Sequence, residues 1–334
     1  MKIQSLGESG LRVSELCLGT MTFGNQADKA TSHEILDRAF AAGVFFIDTA
    51  DVYPLGGTYE TLGSTESIIG EWLQGKREQV VLGTKCFGAT SPAPNQSGLS
   101  RKHIVEAVEA NLRRLQTDYI DLYQAHQFDY NVPLDETLRA FDDLVSAGKI
   151  RYIGVSNWRA WQLLKGLGIA NQKGYARIQS VQPRYNLLFR TIEEELIPAC
   201  IEEGVGVISY NPLAGGMLTG RYHPGQEVQL GSRFSLTGIS NAGELYRTRY
   251  WQQAAFNAIE HYRAWCQQQG LNMTTTAVRW VIQQKGITSA IIGASHPDQL
   301  DASLAAAGAS DLEPAALMEL EQLWYSLPRR KEDR

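Results

Sequence analysis

"TSHEILDRAFAAGVFFIDTADVYP", Thr31 to Pro54, contains a change of structural period. Its first half carries helix signals: Thr31 and Glu34 stand at capping-box spacing, and Gly43 supplies the stop. The run that follows, Val44-Phe45-Phe46-Ile47, is short, β-branched and aromatic, and predicts a buried strand that stops at Asp48. Asp48 then opens a loop that carries Tyr53. Taken alone, an aspartate after a strand reads as a turn cap and the tyrosine as a half-buried aromatic.

The same strand signal recurs along the chain. "ELCLGT", "VVLGTK", "YIDLYQAH", "IRYIGVS", "IQSVQ", "VGVISY" and "SAIIGAS" join "VFFID" to make eight short apolar runs. Between them lie amphipathic stretches. "SRKHIVEAVEANLRRL" sets Ile104, Val108, Leu112 and Leu115 on one stripe behind Ser100 as N-cap. "PLDETLRAFDDLVSAGK" repeats the arrangement, and "RTIEEELIPACIEEG" repeats it with a kink or restart at Pro198.

Alternation of apolar strands with amphipathic helices predicts a parallel sheet covered by helices, and eight units fit an α/β fold of the (β/α)8 TIM-barrel type. An N-terminal β-hairpin precedes the first unit. A doubly wound nucleotide-binding sheet is the competing architecture, but neither GxGxxG nor GxxxxGK[ST] occurs. The whole chain, 1–334, is expected to form one barrel domain. "CFGATSPAPNQSGL" and the segment from Ala214 to about Tyr250 are rich in Gly, Pro, Ser and polar residues. As long loops after strand ends they belong on the C-terminal face of the barrel, where they shape a pocket or cover it.

Bulk properties narrow the function classes. The 334 residues are 43% hydrophobic and 20% charged, enough to bury a large core, and the net charge of −5 disfavours nucleic acid or an anionic membrane as the main partner. The terminal "RRK" is the one basic block and reads as a solvated tail. No run approaches 18 uninterrupted apolar residues and the first residues lack a signal-peptide core, so a cytoplasmic protein is expected. Cys17, Cys86, Cys200 and Cys266 are far apart with no CxxC pair, which predicts reduced packing residues and no metal site.

In a barrel, the C-terminal ends of different strands converge on one mouth. Asp48, Lys85 and His126 end three of the runs, and Tyr53 lies one short loop beyond Asp48. Together they suit reduction of a carbonyl. Hydride added to the carbon leaves negative charge on oxygen, which a proton donor and hydrogen-bond donors must meet. Tyr53 is the candidate acid, Lys85 the charge expected to lower its pKa, Asp48 the group that holds Lys85, and His126 the group that orients and polarises the carbonyl.

"DTADVY", "VVLGTK" and "DLYQAH", in this order and each at a strand end, resemble the Asp, Tyr, Lys and His tetrad of the aldo-keto reductases. The likeness continues through "GKIRYIGVSN", "VQPRYNLL", "ISYNPLAGGMLTGRY" and "IIGASHPDQL", and so covers nearly the whole chain. It implies a nicotinamide cofactor held without a Rossmann fold. By matching position, Ser156, Asn157 and Gln182 would bond the carboxamide and Tyr210 would stack on the ring. Pro212, Leu213 and Gly215 would wrap the pyrophosphate, with Arg221 and Arg233 as its partners. Gly293, Ser295, His296 and Gln299 would contact the adenosine and its 2′-phosphate.

Two departures bear on that last group. An arginine common in the final turn is absent, and the usual asparagine of the following helix is Ser303. The resemblance therefore implies NADPH/NADP+ without excluding NADH, and a small-molecule carbonyl substrate. The insert "PLGGTYETLGSTES" after Tyr53 should add a wall to the pocket. The resemblance also extends to potassium-channel β-subunits, which makes a regulatory cofactor-binding protein one alternative, although the short N-terminus has no appended segment suited to gating. An NAD-dependent dehydrogenase of polyols or inositol-like substrates is the other.

Overall fold

A computed structural model describes residues 1–329. The last two residues of "RRK" lie outside them. Strands β1 (Ile3–Ser5) and β2 (Arg12–Ser14) pair antiparallel as the expected hairpin. Eight further strands close the barrel: β3 (Leu16–Gly19), β4 (Phe46–Asp48), β5 (Val81–Cys86), β6 (Ile120–Ala125), β7 (Ile150–Ser156), β8 (Ile178–Gln182), β9 (Gly206–Tyr210) and β10 (Ile287–Ile292). Each is parallel to its neighbours, and β10 closes on β3. All eight apolar runs are barrel strands, so the fold is the (β/α)8 TIM barrel with an added hairpin.

Helices α1 (Lys29–Ala41), α2 (Ser64–Trp72), α3 (Arg101–Leu115), α4 (Leu134–Ser146), α5 (Ala160–Lys173) and α6 (Leu196–Glu202) alternate with the strands through β9. Ser100 caps α3 as expected, its hydroxyl accepting from the His103 amide. The capping box on α1 is corrected. Asp28 is the N-cap and accepts from the Thr31 amide at 2.8 Å, so Thr31 lies inside the first turn. Gly43 does end the connection, with φ of +86°, a conformation that side chains with a Cβ resist. Near Pro198 the chain restarts rather than kinks: a 3-10 turn at Thr191–Glu193 gives way to α6, where proline occupies the first turn and its missing N–H costs no helical bond.

After β9 the chain makes 3-10 turns at Ala214–Thr219 and Arg233–Ser235, then α7 (Ala242–Tyr250), α8 (Gln253–Gln269) and α9 (Met273–Ile282). The segment expected to be a long loop thus contains a helix. Beyond β10 come α10 (Asp301–Leu304) and α11 (Pro314–Tyr325). Among the described residues no helix is long and apolar enough to cross a membrane.

Two cores follow from strand alternation. Outward side chains such as Ile47, Leu82, Tyr123 and Ile153 pack under the helices. Inward ones from the lower halves of the strands, Cys17, Phe46, Val81, Leu122, Ile208 and Ile291, form a second cluster with Leu6 and Val13 of the hairpin. The hairpin therefore plugs the N-terminal end, and function is left to the opposite one. All four cysteines are buried and free.

Candidate active site

Period-two alternation carries the inward face upward from that apolar layer to a polar one. Phe46 is followed by Asp48, Val81 by Gly83 and Lys85, Leu122 by Gln124, and Ile208 by Tyr210. Strand register sets Asp48 beside Gly83, Lys85 beside Gln124, and Ser156 beside Gln182. Residues far apart in sequence thus meet in one layer. Glycine makes room for it: a Cβ on Gly154 would stand 2.9 Å from the Gln124 side chain and 2.7 Å from the Ser180 hydroxyl.

Lys85 is fully buried, and its ammonium donates to Asp48 Oδ2 at 2.5 Å and to the Thr49 carbonyl at 2.7 Å. The other Asp48 oxygen accepts from Gln124 Nε2 and from Gln182 Nε2, both at 2.9 Å. Gln124 is a partner of this pair that the motifs did not single out. Its signal was its register, two residues after Leu122 and two before His126. Burial works against the Lys85 charge, but Asp48 and then Tyr53 outweigh it and hold the Lys85 pKa above its usual value.

Tyr53 and His126 stand over this pair. The Lys85 ammonium lies 5.3 Å from the centre of the Tyr53 ring, and the Tyr53 and His126 rings meet edge to face with centroids 6.0 Å apart. The expectation that Lys85 lowers the phenol pKa is half right. Burial is the larger influence and raises it; the ammonium pulls downward without reversing the sign. Burial, and then the Lys85 charge, pushes His126 down to about 3, so its imidazole is neutral near pH 7 and suited to hydrogen bonding an oxygen. Asp51, inside the same "DTADVY", does not join the site: it is buried among Glu66 and Arg114, and burial and then Glu66 raise its pKa well above the carboxylate range.

The nicotinamide candidates are linked to this layer. Ser156 Oγ donates to the Gln182 carbonyl at 2.9 Å, Asn157 Nδ2 donates to the His126 carbonyl at 3.1 Å, and the Tyr210 hydroxyl donates to Asn157 Oδ1 at 2.9 Å. Gln182 donates both amide hydrogens, to Asp48 and to Gln124, and its Oε1 accepts none among the described residues. That free acceptor fits an amide N–H. Tyr210 is half-buried, with its ring at the top of the inner layer.

Past β9, the Gly215 amide donates to Asn211 Oδ1 at 2.6 Å, and Gly215 and Gly216 adopt φ of +70° and +99°. Pro212 is buried and Leu213 partly so. Arg221 is exposed and Arg233 half-buried; their side-chain partners are the Tyr222 hydroxyl and the Met21 sulfur, and no carboxylate pairs with either among the described residues. Two guanidinium groups without a counter-charge beside a glycine turn fit a phosphate. The insert after Tyr53 reaches the same rim, where the Ile239 amide donates to the Gly57 carbonyl at 3.2 Å.

At the far end, Gly293 is exposed and packs closely on the backbone: a Cβ there would stand 3.2 Å from the Gly19 carbonyl. The Ser295 amide donates to Gln299 Oε1 at 2.9 Å, and exposed His296 stands 3.6 Å from Asp298. Arg38 of α1 reaches this turn from elsewhere in the fold, pairing with Asp298 and Asp301 at 2.8 and 2.9 Å. Ser303 is 1% exposed, so the position usually held by asparagine offers little surface to a ligand.

The chain is similar to several known proteins. An uncharacterized oxidoreductase of Bacillus subtilis, YrpG, is 38% identical over 90% of this chain and 89% of its own. A probable voltage-gated potassium channel subunit beta of Arabidopsis thaliana is 34% identical over 99% of both chains, and the protein tas of Escherichia coli is 36% identical over 91% of this chain and 92% of its own. The model of the aldo/keto reductase family matches residues 15–324, nearly the full barrel. With that match and these identities, the chain belongs to the aldo/keto reductase family and is an NAD(P)H-dependent oxidoreductase.

Proposed function

We propose that the protein reduces aldehydes and ketones to alcohols with NADPH, with Tyr53 as the proton donor. The observation that carries this reading is the buried Lys85–Asp48 pair at 2.5 Å directly beneath the Tyr53 ring. A buried ion pair is costly to desolvate and adds little stability over apolar packing, so its position under the one half-buried phenol beside His126 argues for a task there.

When bound, reduced nicotinamide supplies the hydride to the carbonyl carbon. The protein handles the other charge. The substrate oxygen accepts hydrogen bonds from the Tyr53 hydroxyl and the neutral His126 imidazole, and as negative charge grows on it the Tyr53 proton transfers. The phenolate left behind is stabilised by the Lys85 ammonium, which Asp48, Gln124 and Gln182 keep in place. Solvent then restores the proton. Gln182, Asn157 and Ser156 would hold the carboxamide, Tyr210 the ring face, and the turn at Gly215 with Arg221 and Arg233 the pyrophosphate. Ser295, His296 and Gln299 would line the adenosine end, where they would meet the 2′-phosphate of NADPH.

Initial rates with NADPH and NADH on a panel of aldehydes and ketones, together with polyol oxidation by NAD+, test the reading. NADPH-dependent reduction is expected to lead. Faster polyol oxidation with NAD+ would reassign the protein as a catabolic dehydrogenase, and tight NADPH binding without turnover would favour a regulatory role like that implied by the channel-subunit name of one relative. Tyr210→Ala removes the stacking partner while leaving the β9 backbone intact. It is expected to raise the NADPH dissociation constant in a fluorescence titration; unchanged affinity and unchanged turnover would make Tyr210 a packing residue.

A further inference from the structure

Helix α2 meets α3 along one narrow face. Gly63, its N-cap, Glu66 and Gly70 stand at i, i+3 and i+7, and all three turn toward α3. The two glycines press on the same residue: a Cβ on Gly63 would stand 2.6 Å from Arg114 Cδ and Nε, and one on Gly70 would collide with the Arg114 carbonyl. Between them Glu66 is fully buried. Its Oε2 accepts from Arg114 Nε at 2.8 Å and Nη2 at 2.7 Å, and its Oε1 accepts from the Thr84 hydroxyl and Asn111 Nδ2, both at 2.6 Å. Asn111 is fixed in turn by the Tyr123 hydroxyl, which donates to its Oδ1 at 3.0 Å.

These bonds frame the base of Tyr53. Gly63, at φ of +82°, donates its amide to the Tyr53 carbonyl at 2.8 Å and so closes the base of the insert, residues 54–62. Thr84 immediately precedes Lys85 on β5, and alternation turns it to the outside of the barrel while Lys85 points in. One carboxylate therefore ties the strand that carries the ammonium to the helix start that holds the backbone of the phenol. A buried charge pair adds little stability over apolar packing, but a carboxylate whose four acceptor positions are all filled has a single geometry.

We propose that Glu66 is a positioning residue for carbonyl reduction: through Arg114 and Gly63 on one side and Thr84 on the other, it sets the Tyr53 hydroxyl over Lys85 at the place from which it donates its proton. The proposal rests on the reductase reading above. Proton donation depends on Glu66 and cofactor binding does not, because none of the candidate cofactor contacts lies on α2 or α3.

The test is a double-mutant cycle with Tyr53, read as turnover of an aldehyde with NADPH. Glu66→Gln keeps the shape and removes the charge, and it is expected to lower kcat about 10- to 100-fold, the order that a misplacement of about 1 Å costs. The NADPH dissociation constant by fluorescence titration is expected to stay that of the wild type. In the Tyr53→Phe background the same substitution is expected to change the residual turnover by less than about twofold, because the hydroxyl it positions is gone. Arg114→Lys keeps a cation for Glu66 without the planar group under Gly63. It is expected to show a smaller loss with the same dependence on the Tyr53 hydroxyl, and it carries the cycle should Glu66→Gln not fold. Equal losses in the two backgrounds, unchanged kcat in Glu66→Gln, or a parallel fall in NADPH affinity would overturn the positioning role and leave the reductase standing. No wild-type turnover of any aldehyde would overturn both readings.

Discussion

Tyr53→Phe is expected to lower the turnover of aldehyde reduction by about 10²- to 10⁴-fold, the range typical of lost general-acid catalysis. The substitution removes one hydroxyl and keeps the ring, so the edge-to-face contact with His126 and the position over Lys85 survive. NADPH affinity is therefore expected to persist, because none of the candidate nicotinamide contacts bonds to Tyr53. Comparing kcat and the NADPH dissociation constant of the variant with those of the wild type checks both halves. Turnover near normal would remove Tyr53 from the chemistry, and a collapse of cofactor affinity would show that the ring was structural.

Lys85→Met has the second-largest effect, and it acts on both activity and stability. Removing one partner of a buried pair costs about 3–5 kcal/mol, because the other charge is left uncompensated. Asp48 keeps its two amide donors, Gln124 and Gln182, which softens that cost. Urea unfolding measures it. On activity, loss of the ammonium leaves the phenolate unsupported, so turnover falls with that of Tyr53→Phe.

The pH profile separates the electrostatic role of Lys85 from a merely structural one. Burial raises the Tyr53 pKa and Lys85 opposes the rise, so the variant phenol titrates higher than the wild-type phenol. Reduction needs the protonated phenol and declines as pH rises through its pKa. The alkaline decline in Lys85→Met is therefore expected at higher pH than in the wild type, and a decline at unchanged pH would contradict the charge's influence on Tyr53.

The candidate site was legible in the sequence because its residues terminate apolar runs. A charged side chain at the end of a buried strand interrupts the pattern visibly, as Asp48, Lys85 and His126 do, and barrel closure brings such ends together. Gln124 was less visible. An amide within "YIDLYQAH" does not break the apolar pattern, and its partner Asp48 lies 76 residues away, so only the register discloses the contact. The same limit applies to Arg38, which reaches the final turn across 260 residues.

Local chemistry was misread where two residues compete for one task. Asp28 and Thr31 both suit an N-cap, and Asp28 holds the position because the helix begins earlier than the apolar pattern does. The sign of the Tyr53 shift depends on how deeply the phenol is buried, which is a property of packing and not of the motif.

The central claim is that this mouth reduces a carbonyl, and the most direct measurement follows alcohol product and oxidised nicotinamide together through a single turnover of enzyme premixed with NADPH. The account predicts that the two appear in equal amounts and at the same rate with the wild type, and that both are suppressed together in Tyr53→Phe. Nicotinamide oxidised without alcohol, or alcohol formed equally fast without the Tyr53 hydroxyl, would contradict it.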